Sequence, residues 1–262
     1  KRRVIIEQDY MVFLVYSDFS PVFELVGGSR EINEIRSVKD EQEIEAIKAA
    51  QAITDAAFEY IKGSIKEGVT ENDIVAELEY FMRKKGATTA FPSIIAFGAH
   101  SSMPHAVSGN TRLHYGEIVL LDFGAKLNGY CSDMTRTLFF GKPADELKRI
   151  YGIVLEAQTR AINSMYEGIL CRDADAVARK FIEDSGYGNA FGHGLGHGLG
   201  VECHEAPRLS PKSTWKLLAN MVVTVEPGIY LPGVGGIRIE NMCVIRKTAE
   251  LLTQSDNRMM IL

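Results

Sequence analysis

The stretch from Gly192 to Arg208 concentrates potential chemistry: His193, His197 and His204, spaced four and seven residues apart, are three of the chain's six histidines. Glycine occupies alternate positions from Gly192 to Gly200, which frees the backbone for positive φ or for close approach to other groups. A helix is disfavoured by that glycine density, so His-x-x-x-His is not one face of a helix, and no glutamate follows His193 as a helical zinc-protease motif requires. A phosphate loop is excluded as well, because His197, Leu199 and Val201 fall where Gly-x-Gly-x-x-Gly needs its last glycine. On this stretch alone, a glycine-rich loop with ordinary histidines remains open.

Four carboxylates change the balance. Asp122 ends an apolar run (Ile118-Val119-Leu120-Leu121) and Asp133 opens a returning one. Glu226 ends Val222-Val223-Thr224-Val225, and Glu240 sits within Ile237-Arg238-Ile239-Glu240-Asn241. Acids are depleted from strands, and each of these adjoins sequence that should be buried. Bare carboxylates about 4 Å apart repel by roughly 4 kcal/mol at an effective dielectric near 20, so four converging acids demand protonation or cations. Two divalent ions would neutralise them. His197 supplies a fifth ligand, and a set of oxygen donors plus one imidazole suits Mn, Co or catalytic Zn with open positions, bridged by Asp133 and Glu240.

The elements that must position these groups follow from periodicity and caps. Ser37 with Asp40 predicts an N-cap for a long amphipathic helix to about residue 62, burying Ile44, Ile47, Ile53, Ala57 and Ile61. Thr70 with Asp73 caps a second helix, stopped by Gly86. Residues 117–123 read as a strand, 126–129 as a turn and 132–140 as the returning strand. The order then repeats: helices over 143–167 and 173–184, a strand over 221–225, a Gly/Pro turn, and a return over 237–245. Two αβ halves, about 37–140 and 143–246, therefore indicate an internal duplication whose pseudo-twofold axis brings the acids together in one α+β domain. Upstream, residues 4–6 and 11–15 read as strands or buried segments, and Gly27-Gly28 opens a linker over about 27–36.

Composition narrows the class. A net charge of −5 with both signs mixed gives no electrostatic case for nucleic acid or an anionic membrane. No apolar run approaches the about 20 residues of a membrane span, and Glu7 and Asp9 interrupt the segment after Lys1-Arg2-Arg3, against a signal peptide. Cys131, Cys171, Cys203 and Cys243 are widely separated and fit a reducing, cytoplasmic setting. The absence of an initial Met implies missing upstream sequence.

At the segments Leu121-Asp122-Phe123-Gly124, Ser132-Asp133-Met134-Thr135-Arg136-Thr137, Gly194 to Arg208, Val225-Glu226-Pro227-Gly228-Ile229-Tyr230 and Gly236-Ile237-Arg238-Ile239-Glu240-Asn241, the sequence resembles the Xaa-Pro peptidases of the pita-bread metallopeptidase family. That group contains proline dipeptidase (prolidase) and aminopeptidase P. The resemblance implies a pita-bread fold over 37–262, with 1–36 as a remnant of an N-terminal domain plus linker. It also implies a dinuclear site of Asp122, Asp133, His197, Glu226 and Glu240, and a homodimer when full-length.

The activity implied is hydrolysis of Xaa-Pro bonds by a bridging hydroxide, most readily in dipeptides. An aminopeptidase P acting on longer peptides, or an inactive binding module, are the alternatives. Glu226 is implied as general base, and His105, in Ser102-Met103-Pro104-His105, as a substrate-binding group. His105 and His204 would donate hydrogen bonds to the substrate carbonyl or the developing oxyanion. His193 is expected to line the pocket, to relay a proton or to fix its loop. Arg208 resembles the arginine that holds a dipeptide's free carboxylate. Arg238 is expected to clamp the bridging carboxylates from behind.

Overall fold

The computed structural model describes residues 1–262. The chain opens with β1 (Arg2–Ile6), α1 (Phe13–Phe19), β2 (Phe23–Gly27) and α2 (Ser29–Ser37). A first half comes next: α3 (Glu41–Ile61), α4 (Glu71–Lys84), β3 (Thr88–Thr89), β4 (Ile94–Phe97), β5 (Glu117–Phe123), β6 (Ala125–Leu127), β7 (Tyr130–Cys131) and β8 (Met134–Phe140). The second half repeats the order: α5 (Asp145–Ser164), α6 (Cys171–Asp184), β9 (Gly196–Gly198), β10 (Glu205–Leu209), β11 (Val222–Val225), β12 (Gly228–Leu231), β13 (Gly235–Arg238), β14 (Asn241–Ile245) and β15 (Ala249–Leu251). This is the expected mixed α+β duplication, with β4-β5-β8 as one central sheet and β10-β9-β11-β14-β15 as the other.

Sequence chemistry accounts for most boundaries. Thr70 and Asp73 form a complete capping box on α4. On α3 the box is one turn later than the Ser37 cap expected, with Asp40 as N-cap and Glu43 reaching back. Ser37 instead closes α2, so the expected linker over 27–36 is largely helix, and Arg36 near its end is tied to Glu205 of β10. Residues 11–15 are not a strand either: α1 begins at Phe13 and buries none of its residues. The return expected over 237–245 breaks in two, β13 pairing with β12 while β14 pairs with β11, and Glu240 lies at the break.

Strand alternation decides which way the acids face. In β5, Val119, Leu121 and Phe123 pack with Phe58, Leu78 and Met82 of the first-half helices. Ile118 and Leu120, on the opposite face, join the second half's core with Val154 and Ala157 of α5. β5 is thus buried on both faces, which explains its unbroken apolar run. Asp122 shares the face of Ile118 and Leu120 and so points to the interface between halves. β8 behaves alike: Met134 and Leu138 face the first-half helices, whereas Thr135 and Thr137 bond across the interface to Glu240 and Arg238. In the second half Val223, Val225 and Cys243 pack with α5 and α6, leaving Thr224, Glu226 and Glu240 on the other face by the same period of two.

Candidate metal centre

The two halves meet around a cavity of about 350 Å³ lined by Asp122, Asp133, His197, Glu226 and Glu240, all five side chains read as ligands from the sequence. Asp133, His197 and Glu240 are buried and offer ligand atoms within 4.8 Å of one another. Asp122 and Glu226 line the same cavity outside that closest group. Glu226 Oε1 lies 3.3 Å from His197 Nε2, and Asp122 Oδ2 accepts from Arg238.

The donor set fits divalent cations. Asp133 Oδ1 and Glu240 Oε1 are buried with no hydrogen-bond partner, an arrangement that leaves charge uncompensated unless a cation faces it. Burial, and then the neighbouring carboxylates, push Asp133 and Glu240 well above the usual carboxylate range. Glu226 is pushed up to about 7, by burial first, with Arg238 opposing and Asp122 adding to the rise. His197 Nδ1 lies 3.0 Å from the Gly198 carbonyl, which can only accept. Nδ1 therefore carries the hydrogen and Nε2 presents its lone pair to the acids. Burial holds this imidazole down to about 3, so it is neutral and able to ligate.

The glycines around His197 serve close approach, not positive φ. A Cβ on Gly196 would sit 2.0 Å from the Thr224 carbonyl, and one on Gly198 2.2 Å from that of Ala206. β9 thereby wedges between β10 and β11, and Thr224 Oγ1 accepts the His197 N–H.

Arg238 departs from expectation. Its Nη2 meets Asp122 Oδ2 at 2.6 Å, Nη1 meets the Tyr230 hydroxyl at 2.8 Å, and Nε meets Thr135 Oγ1 at 3.1 Å. The clamp therefore holds Asp122 directly and reaches Glu240 only through Thr135, whose hydroxyl donates to Glu240 Oε2 at 2.7 Å. No contact joins it to Asp133, because β13 ends at Arg238 and the chain turns before Glu240.

His193, His105, His204 and Arg208 all line the cavity. His193 is committed at both nitrogens, Nδ1 to the Gly194 carbonyl at 2.8 Å and Nε2 to the Tyr230 hydroxyl at 2.9 Å. Since Tyr230 already accepts from Arg238, its own hydrogen points to His193 Nε2, and burial holds His193 down to about 4. A proton relay is thus disfavoured by the bonds around it, and the fixed orientation of a neutral ring fits the loop-fixing alternative. His204 stacks at a tilt on His197, ring centroids 4.3 Å apart, and Arg208 is exposed at the edge.

Sequence reasoning misses the residues that hold these groups. Tyr230 and Thr135 read as ordinary strand residues. Asp175 and Arg179 form a bidentate pair on α6, and Arg179 also donates to the carbonyls of Phe191 and His193. Glu205, beside His204, receives Lys39 and Arg36. The i,i+4 spacing of Asp175 and Arg179 is the only local signal, and it is shared with ordinary surface pairs.

Comparison with known proteins identifies the family. A model of metallopeptidase family M24 matches residues 45–247. The chain belongs to metallopeptidase family M24. It is an enzyme, a peptidase, and the family implies divalent metal. This M24 chain is similar over its full length to a solved Xaa-Pro dipeptidase from Bacillus anthracis, at 44% identity and TM-score 0.97, covering 75% of that chain. It is also similar to an X-Pro aminopeptidase from Thermotoga maritima, at 40% identity and TM-score 0.94, covering all of this chain and 76% of that one. An Xaa-Pro dipeptidase from Pyrococcus furiosus is 42% identical over 87% of this chain and 66% of its own length. The pita-bread fold expected from the sequence is therefore the fold found.

Proposed function

We propose that this M24 enzyme hydrolyses Xaa-Pro dipeptides with two divalent cations held by Asp122, Asp133, His197, Glu226 and Glu240, Mn first and Co or Zn as substitutes. The observation that carries the reading is the pair of buried, unpartnered oxygens, Asp133 Oδ1 and Glu240 Oε1, facing a cavity that three further histidines and two arginines also line. The cations supply a Lewis acid and a water acidified toward neutrality. Glu226 takes the proton of the attacking water and passes it to the departing proline nitrogen. His105 and His204 bind the substrate carbonyl and stabilise the charge that develops on it. Arg208, at the exposed edge, takes the dipeptide's free carboxylate in its planar fork. A dedicated enzyme is required because the proline nitrogen bears no hydrogen to anchor and its ring fixes φ.

The test is hydrolysis of Xaa-Pro against Xaa-Pro-Yaa, with metal analysis of the purified protein. Clear preference for the dipeptide supports prolidase. Equal or better tripeptide cleavage favours aminopeptidase P, the second reading, which the likeness to the Thermotoga maritima enzyme keeps in view. Fewer than about one bound transition metal per chain in replete Mn would overturn the metal assignment. No helix is long and apolar enough to cross a membrane, and all four cysteines are free and buried. The free cysteines fit a reducing setting, and we place the enzyme in the cytoplasm; we also propose that it assembles as a homodimer, which light scattering would check.

A further inference from the structure

Glu71, the first residue of α4, is fully buried, and the proposed reaction does not use it. Its Oε1 accepts the Phe97 N–H at 3.0 Å and lies 2.6 Å from His100 Nδ1. Its Oε2 accepts the Gly109 N–H at 2.9 Å. Residues 97 and 109 are the two shoulders of the excursion that carries His105. The middle of that excursion is tied to the other half of the molecule: Gly236 N–H donates to Ser101 Oγ at 2.8 Å, and Arg238 Nη1 to the Pro104 carbonyl at 3.3 Å. His105 thus hangs between a first-half anchor, Glu71, and a second-half anchor, Arg238, which itself grips Asp122.

The chemistry of the anchor is specific to a carboxylate. Two backbone N–H groups and a ring nitrogen converge on its two oxygens. A glutamine could satisfy one side only, because its NH2 would be set against an N–H on the other. The carboxylate's charge also lies at a helix N-terminus, where the dipole favours it.

We propose that Glu71, together with His100, is a positioning residue that fixes His105 over the cavity; this rests on the reading of His105 as a substrate-binding group. The sequence hides it, because Glu71 reads as an ordinary acid in the first turn of a capped helix.

The experiment is a double-mutant cycle on the Mn-loaded enzyme with Ala-Pro as substrate, with thermal melting and metal content measured alongside. Glu71→Gln should lower kcat/KM by roughly ten- to a hundredfold, as expected when a group is misplaced by an ångström or so, with metal stoichiometry unchanged. His100→Ala should act in the same direction. His100→Asn, which keeps a donor near the Nδ1 position, should recover activity to within about threefold of wild type. On a His105→Ala background the further loss from Glu71→Gln should shrink below about twofold, the mark of two residues acting through one function. Losses that multiply on that background, or wild-type kcat/KM for Glu71→Gln, would overturn the proposal while leaving His105's role intact. Wild-type turnover for His105→Ala alone would overturn both. If Glu71→Gln does not fold, His100→Ala, at a partly exposed position, carries the same cycle, with shrinking losses supporting the proposal and multiplying losses overturning it.

Discussion

Replacing Glu240 by Gln should move stability in opposite directions with and without divalent cation. Glu240 and Asp133 present ligand oxygens within 4.8 Å of each other, and two full charges at that distance repel by about 3.5 kcal/mol at an effective dielectric of 20. Linkage gives the same direction. Glu240 is held well above its ordinary value by burial and by Asp133, so the folded state keeps a proton that the unfolded chain sheds near pH 4. That contribution to stability is fully present below about pH 4 and is lost as pH rises toward the raised folded value. Glu226, pushed up to about 7, adds to the loss over the window from about 4 to 7. Glu240→Gln keeps an acceptor for Thr135 Oγ1 and turns an amide donor toward the region of Asp133. In EDTA at pH 7 to 8 the variant should therefore melt roughly 5–10 °C above wild type, with little difference at pH 4. In Mn the order should reverse. Wild type gains about 2.7 kcal/mol at a hundred times the dissociation constant, and the variant, a ligand short, gains less. Differential scanning fluorimetry across pH in both buffers tests this. A variant that melts below wild type in EDTA at every pH would refute the reasoning, since it would mean Glu240 is a structural acid whose charge the fold already satisfies.

Three further outcomes rest on the same geometry. Arg238→Lys should cut kcat/KM severely and destabilise by several kcal/mol, because one ammonium cannot meet Asp122, Tyr230 and Thr135 at once; steady-state kinetics and melting check it, and near wild-type values would refute the clamp. Gly196→Ala should abolish metal retention and lower Tm sharply, its Cβ falling 2.0 Å from the Thr224 carbonyl, whereas Gly192→Ala, with open space around it, should be near neutral in metal analysis and melting. His193 is held to about 4 by burial, so the stability it contributes is present above about pH 6.5 and is lost as pH falls to 4, by at most about 3 kcal/mol. His193→Asn should flatten that part of the pH–stability curve, and an unchanged slope would sink the assignment.

Much of the fold is legible in the sequence because the signals are local. Thr70 with Asp73 marks α4, and the apolar run before Asp122 marks β5 to the residue. The matched acids are legible because duplication places them alike at the ends of paired strands. The features that escape depend on partners distant in the chain. α1 carries Phe13-Leu14-Val15, an apolar run that looks buried, yet Phe13 is 83% exposed. Strand alternation assigns Arg238 to the bridging acids, but the break after β13 re-aims the chain and delivers its guanidinium to Asp122. The glycines from 192 to 200 promise either positive φ or close approach, and only contact with β10 and β11 decides for the latter.

The same limit explains a division of labour in the centre. His197 is fixed within the sheet by its own strand neighbours, Gly198 and Thr224. The other cavity histidines sit on loops, which have no ladder to hold them. Each of those loops is instead bound by a buried carboxylate: Glu71 for the segment of His105, Asp175 with Arg179 for that of His193, and Glu205 with Lys39 and Arg36 beside His204. Buried carboxylates are costly unless fully bonded, so their use at all three places argues that orientation of these rings, more than stability, is what they secure. Glu205 offers the sharpest check. Burial raises it, but Lys39, the Glu202 N–H and Arg36 outweigh burial and hold it below the usual range. Its contribution to stability should persist above about pH 4 and fade as pH falls through the lower folded value. Glu205→Gln should abolish that acid-side loss and, if orientation is the purpose, lower kcat at pH 7 without changing metal content. An unchanged kcat would reduce Glu205 to a tether for α2.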